Sequence, residues 1–197
     1  MRPMFLDFPQ NEAMFHLDSQ FMFGDNILVA PKLNNFKQVA YLPYEAEWYN
    51  FNTKLLWTEC SPFIGVWPVM EMPVFYRAGS IIPILLHENS LSLLRAINNN
   101  IELEVFPTRS DNAEGKLVLD DGWSTKTDES RYVFKYELEA EEYGSKTYLK
   151  MQVVGDLAYT SGKLISSVSI YGVKSAPMYV FSFKTMSEVD FTYDSKT

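Results

Sequence analysis

Residues 15–31 read FHLDSQFMFGDNILVAP, and the chain changes character across them. Phe15, Leu17, Phe21 and Phe23 form a dense apolar cluster around Asp18. Gly24-Asp25-Asn26 signals a turn, because Gly tolerates positive φ and Asp and Asn bond their own backbone. Ile27-Leu28-Val29-Ala30 is wholly apolar and bounded by that turn and Pro31; it is too short for a helix and suits a buried strand. Upstream lies a short β-like run, MRPMFLDF, closed by Pro9, and Asn11 to Met14 suits one helical turn. Downstream no long amphipathic helical pattern recurs. The stretch reads as a seam between the end of an enzyme-type domain and an all-β region.

Beyond the seam the punctuation is regular. Strands are predicted at Gln38 to Leu42, Glu47 to Phe51, Leu55 to Trp57, Val66 to Met70, Val74 to Tyr76 and Ile81 to Leu85. His87 to Asn100, polar at both ends and closing on an Asn triplet, reads as a linker. Ile101-Glu102-Leu103-Glu104-Val105 alternates strictly, which predicts one wet and one buried face. Thr108 to Gly115 reads as a polar loop, and Asp120-Asp121-Gly122 as a hairpin turn after a strand at Lys116 to Leu119. Further strands are expected at Arg131 to Leu138, Thr147 to Val154, Leu164 to Val173 and Met178 to Phe183, with another begun at Val189 to Tyr193. Many short strands separated by turn signals pack best as paired sheets. The expectation is therefore two consecutive antiparallel β-sandwiches, split near residues 86–100.

The 197 residues are 47% hydrophobic and 15% aromatic, which is enough apolar material for a sizeable core or two smaller ones. The formal charge of −8 repels phosphate backbones, so no nucleic-acid partner is expected. No apolar run approaches the roughly 20 residues that span a bilayer. The stretch MRPMFLDFPQ lacks the apolar core of a signal peptide. A single cysteine, Cys60, excludes an internal disulfide and a cysteine-based zinc site, reads as a buried thiol, and leaves the compartment open.

The residues assemble no active site. His16 and His87 are the only histidines and lie far apart, so no metal and no cofactor is expected. There is no Gly-x-Ser-x-Gly, and Cys60 has no evident histidine partner. Paired carboxylates are the serious possibility in an acidic, aromatic-rich chain, because sugar-cleaving enzymes set two of them roughly 5–10 Å apart across the substrate. Asp120 and Asp121 are adjacent in a turn and diverge. Asp7, Asp18 and Asp25 lie nearer the seam, where capping or loop closure is the competing role. Trp48, Tyr49 and Trp57, or Trp67, could stack on a pyranose face, against the simpler role of strand core. No catalytic residue is assigned, and substrate-binding residues stay unassigned.

The order of motifs carries more. RPMFLDFP (2–9), DSQFMFGDNILVAP (18–31), AYLP (40–43) with WYNF (48–51), VFYRAGSIIPI (74–84) and LVLDDGWS (117–124) together resemble the C-terminal portion of glycoside hydrolase family 31, the α-glucosidases, and within it the eukaryotic branch. The resemblance implies a (β/α)8 barrel followed by proximal and distal β-sandwiches. Residues 1–24 would be the end of the barrel, 25–86 the proximal sandwich, 87–99 a linker, and 100–197 the distal sandwich, short of a closing strand. The family consists of retaining exo-α-glycosidases with an aspartate nucleophile and an aspartate acid. Both precede the block that begins here at Arg2, so no catalytic residue carries over and the chain alone is expected to be inactive. Its sugar partner, an α-glucoside or glycan, would be met through the barrel. By family the compartment would be the endoplasmic reticulum lumen, the lysosome or the exterior. The alternative from another class is a non-catalytic carbohydrate-binding or scaffold module, which requires exposed coplanar Trp or Tyr rings.

Overall fold

The computed structural model describes residues 1–31, 40–58, 72–85, 100–118, 131–141, 144–154 and 165–195. It is mainly β, as expected. Thirteen strands among the described residues are joined by one helical turn and one 3-10 turn. The first sheet runs in the order β1-β2-β3-β5-β4. Its strands are β1 (Arg2–Pro3), β2 (Phe21–Phe23), β3 (Ile27–Val29), β4 (Trp48–Asn50) and β5 (Val74–Arg77). The second sheet runs β10-β9-β8-β6-β7-β11. Its strands are β6 (Ser80–Leu85), β7 (Ile101–Phe106), β8 (Ala113–Val118), β9 (Arg131–Glu141), β10 (Gly144–Val154) and β11 (Ile165–Ile170). A small hairpin of β12 (Phe181–Ser182) and β13 (Ser187–Glu188) follows.

Local chemistry explains most departures from expectation. The β-like run at the N-terminus is strand only at β1; Met4–Asp7 turns into α1, closed by Phe8 N–H donating to Met4 C=O at 3.0 Å. Ala40 to Leu42 is not a strand, because the buried Gln20 side chain takes the place of a ladder neighbour. Its Nε2 donates to Tyr41 C=O, and its Oε1 accepts from Tyr41 N–H, both at 2.8 Å. Leu55 to Trp57 contributes only an isolated bridge, Leu56 to Tyr49. The loop predicted to reach Gly115 ends at Asn112, where β8 begins. Met178 to Phe183 and Val189 to Tyr193 supply no strand beyond β12. The strand predicted at Val66 to Met70, residues 38–39, the linker residues 87–99 and the 120–122 turn lie outside the described residues.

The ladders run through both lines drawn from turn signals. β2 pairs with β3 around Gly24, with Phe23 opposite Ile27, and β6 pairs with β7, with Leu85 opposite Ile101. Membership passes from the first sheet to the second between Arg77 and Ser80. Nor is the second sheet wholly antiparallel: β11 runs parallel to β7, and Ser80 bridges Glu114 in parallel. That bridge draws β6 and β8 so close that a Cβ on Gly115 would sit 2.3 Å from Ile81 C=O, which only glycine avoids.

Three apolar clusters hold the chain together. Met4, Phe8, Met14, Met22, Leu28, Trp48 and Phe75 fill the first, under the first sheet. Ile81, Ile101, Leu103, Val105, Phe134 and Tyr136 fill the second, on one face of the second sheet. Tyr49, Tyr76 and Phe106 form the third, where the sheets meet. Phe106 stacks on Tyr76 at 4.3 Å and on Tyr171 at 5.1 Å between ring centroids, and is fully buried. Phe106→Ala removes that double stack and should destabilise the chain by about 3–5 kcal/mol. Val118→Ala, at an exposed position, should stay within about 0.5 kcal/mol. Urea unfolding of both variants reads the difference.

Candidate functional site at the Arg2 face and the sheet junction

Arg2 gathers two of the three seam aspartates. Its Nη2 donates to Asp7 Oδ1 at 2.8 Å and lies 2.7 Å from Asp25 Oδ1. The helical turn α1 brings Asp7 back toward β1, and the β2–β3 turn brings Asp25 in from the other side. The two carboxylates thus share one guanidinium instead of facing each other across a substrate. Asp7 is nine-tenths buried, and its Oδ2 makes no hydrogen bond among the described residues; neither does Arg2 Nε. Such buried polar atoms normally have partners, so this face has capacity to spare. Asp18 and His16 are exposed and join neither ion pair. On the elements that carry these ion pairs Phe5, Leu6 and Phe23 are exposed and Phe21 is half-buried; Phe15, in the 3-10 turn's C-cap, is exposed as well.

Beside this face a cleft of about 550 Å³ opens between the β2–β3 turn and the β6–β8 pair, lined by Phe23, Asp25, Ile27, Pro83, Glu114 and Lys116. Its two carboxylates are both engaged, Asp25 with Arg2 and Glu114 with Lys135 at 3.3 Å. Among the described residues no cluster of three metal-capable side chains occurs.

Two rings of the candidate sugar platform are core. Trp48 and Tyr49 are buried; Trp48 Nε1 donates to Pro43 C=O at 3.0 Å, and Tyr49 O–H donates to Pro107 C=O at 2.8 Å. Trp57 is half-buried edge-on to Phe75. Cys60, Trp67, His87, Asp120 and Asp121 lie outside the described residues.

The sheet junction holds a charge that sequence reading missed. Lys54, at a positive φ of 59° in the turn after β4, turns its Nζ over the rings of Phe51, Tyr76, Phe106 and Tyr171, at 4.6–5.7 Å from their centroids. Nζ also lies 2.9 Å from each oxygen of Glu104, and Tyr171 O–H donates to Glu104 Oε1 at 3.0 Å. Glu104 was expected on the wet face of β7 but is buried. Glu102 is half-buried and accepts from Ser169 Oγ at 2.8 Å. The reason is position: β7 lies inside the sheet, and the first sheet covers its polar face.

Burial first, and then the neighbouring Glu104 charge, pushes the Tyr171 hydroxyl up from 10.0 to about 12. The same two causes push Tyr76 up further; burial and then Glu47 push Tyr49 up.

The fold and this face define a class: a mainly β, multi-sheet module whose first turns present an apolar, ion-paired face. Residues 1–82 match the family model described as glycosyl hydrolase family 31 C-terminal domain. A probable alpha/beta-glucosidase of Aspergillus clavatus is 32% identical over 170 residues, covering 82% of this chain and 19% of that protein. The lysosomal alpha-glucosidase of Rattus norvegicus is 30% identical over 219 residues, covering 98% of this chain and 22% of the relative. The glucosidase II alpha subunit, in its Glc1Man2-bound form, shares the fold with a TM-score of 0.68 at 20% identity, over 89% of this chain and 20% of that one. The chain belongs to glycosyl hydrolase family 31, in the C-terminal β region of its α-glucosidase-type enzymes. It spans about a fifth of the length of the curated relatives it matches. Among the described residues no helix is long and apolar enough to cross a membrane.

Two outcomes follow from the junction. Lys54→Met strands a buried carboxylate and should cost about 3 kcal/mol, much of it recovered when Glu104→Leu is added; a double-mutant cycle in urea measures both. The contribution of Tyr171 to stability should be full below pH 10 and be lost between pH 10 and about 12. Over that window unfolded tyrosine loses its proton while folded Tyr171 keeps it. Unfolding midpoints across this range check the slope, which Tyr171→Phe should reduce while Tyr76 and Tyr49, also pushed up, keep part of it.

Proposed function

We propose that this chain is the supporting β portion of a retaining α-glucosidase, which removes terminal α-linked glucose from oligosaccharides or glycans, and that it carries neither the nucleophile nor the acid. In this reading residues 1–24 close the catalytic barrel, 25–86 and 100–197 are the sandwiches beneath it, and 87–99 link them. The observation that carries the reading is the Arg2 face. Phe5, Leu6 and Phe23 are exposed on the elements around a nine-tenths buried carboxylate with a spare oxygen, a surface suited to further protein and not to water. The matched relatives are long enough to supply that protein. The carbohydrate-module reading is less favoured, because two of its candidate rings, Trp48 and Tyr49, are in the core, while Trp67 lies outside the described residues. By analogy with the relatives, the parent works in the endoplasmic reticulum lumen, the lysosome or outside the cell.

Catalysis in such an enzyme needs an aspartate attacking the anomeric carbon and a second protonating the leaving oxygen, set about 5–5.5 Å apart. The paired carboxylates here are held by Arg2 and cannot take those roles. The isolated chain should therefore show no turnover of p-nitrophenyl α-glucoside above a heat-killed control. Measurable release of p-nitrophenol by the pure chain would overturn this division of labour.

A further inference from the structure

The ammonium of Lys54 sits in a receptor whose other members are held by one another. Its walls are four rings. Phe51 lies 5.3 Å from Tyr76, Tyr76 stacks on Phe106 at 4.3 Å, and Phe106 stacks on Tyr171 at 5.1 Å between centroids. Its floor is the Glu104 carboxylate, buried in β7, where Oε1 accepts from the Tyr171 hydroxyl at 3.0 Å. Tyr76 and Phe106 are buried as well, so core packing fixes them. The cation comes from a different kind of place. Lys54 belongs to the turn after β4, where Phe51, Asn52 and Thr53 are exposed, and its own side chain keeps 20% of its surface in solvent.

The chemistry of the receptor says what it takes. Ring faces attract any cation within about 6 Å of their centroids. The carboxylate is more selective. Nζ lies 2.9 Å from each Glu104 oxygen, the spacing of charge-assisted N–H···O bonds, so the cation must present more than one N–H. A quaternary ammonium has none, and neither has an alkali ion. Among the described residues Glu104 has no ion-pair partner besides Lys54.

We infer that the sheet junction is a binding site for a primary alkylammonium ion, filled in the folded chain by Lys54 as a ligand in cis. The side chain is thereby a latch. It is the one piece of the receptor that enters from an exposed turn, and it ties that turn to β7. With the latch cut away, the rings and the carboxylate stay set to take a free amine in its place.

Lys54→Ala deletes everything beyond Cβ, which is n-propylammonium in outline. Urea unfolding of the full chain with added n-propylammonium chloride reads the site. The midpoint of Lys54→Ala should rise saturably; at a Kd of about 10 mM, about 100 mM amine raises the folded-to-unfolded ratio roughly tenfold. Wild type, with the site filled, should respond no more to the amine than to sodium chloride at equal concentration. Lys54→Ala combined with Glu104→Leu should lose the response, and n-propanol or tetramethylammonium chloride should not replace the amine. If Lys54→Ala is unfolded by itself, n-propylammonium should restore its near-ultraviolet circular dichroism. A Lys54→Ala chain that the amine neither stabilises nor refolds overturns the proposal. So does an equal gain from sodium chloride or n-propanol, or an equal gain in wild type or in the double variant. Every readout is stability, so none depends on the chain's place in a hydrolase.

Discussion

Lys54 carries its ammonium into the joint between the two sheets, against both oxygens of Glu104 and over four aromatic rings. Taking two charges out of water costs several kcal/mol, which the ion pair offsets only when geometry is good and the other lone pairs are used. Here the Tyr171 hydroxyl satisfies Glu104 further, and the ring faces add cation–π attraction of about 0.5–2 kcal/mol. The participants come from four places: the turn after β4, β5, β7 and the residue after β11. The arrangement closes only when both sheets are formed and correctly set against each other.

Other contacts follow from that setting. Tyr49 spans from β4 to Pro107, and Glu47 pairs with Arg109 at 3.0 Å while accepting from the Arg109 N–H at 2.9 Å. Gly172, at a φ of +69°, lies so close to Tyr49 that a Cβ would meet the hydroxyl oxygen at 2.6 Å. A positive-φ glycine, a buried tyrosine and a covered glutamate are three views of one tight joint. The joint leaves the two ends of the chain outside it. One end holds the Arg2 ion pairs under exposed phenylalanines, and the other holds the apolar hairpin.

Within the candidate site, legibility divides by range. That Trp48 and Tyr49 are core could be weighed from residue types and strand pattern. That Asp7 and Asp25 meet on Arg2 could not, because the meeting needs α1 to turn back and β2 to pair with β1. Gln20 misled in the same way. Its side chain replaces a strand edge for Tyr41, and no local pattern announces an amide aimed at a backbone 21 residues on.

The sequence by itself determined the mainly β class, most strand positions from Ile27 to Val154, and, through the order of its motifs, the family. These rest on period-two patterning, turn chemistry and short segments, all of which act within a few residues. Only the tertiary structure decided that Glu104 is buried, that β11 lies parallel beside β7, that β6 and β7 join across the expected linker, and that Asp7 and Asp25 serve an arginine. Each of these depends on partners distant along the chain, as with Lys54 and Glu104, 50 residues apart. Burial reverses the meaning of an alternating strand once a second sheet covers its polar face.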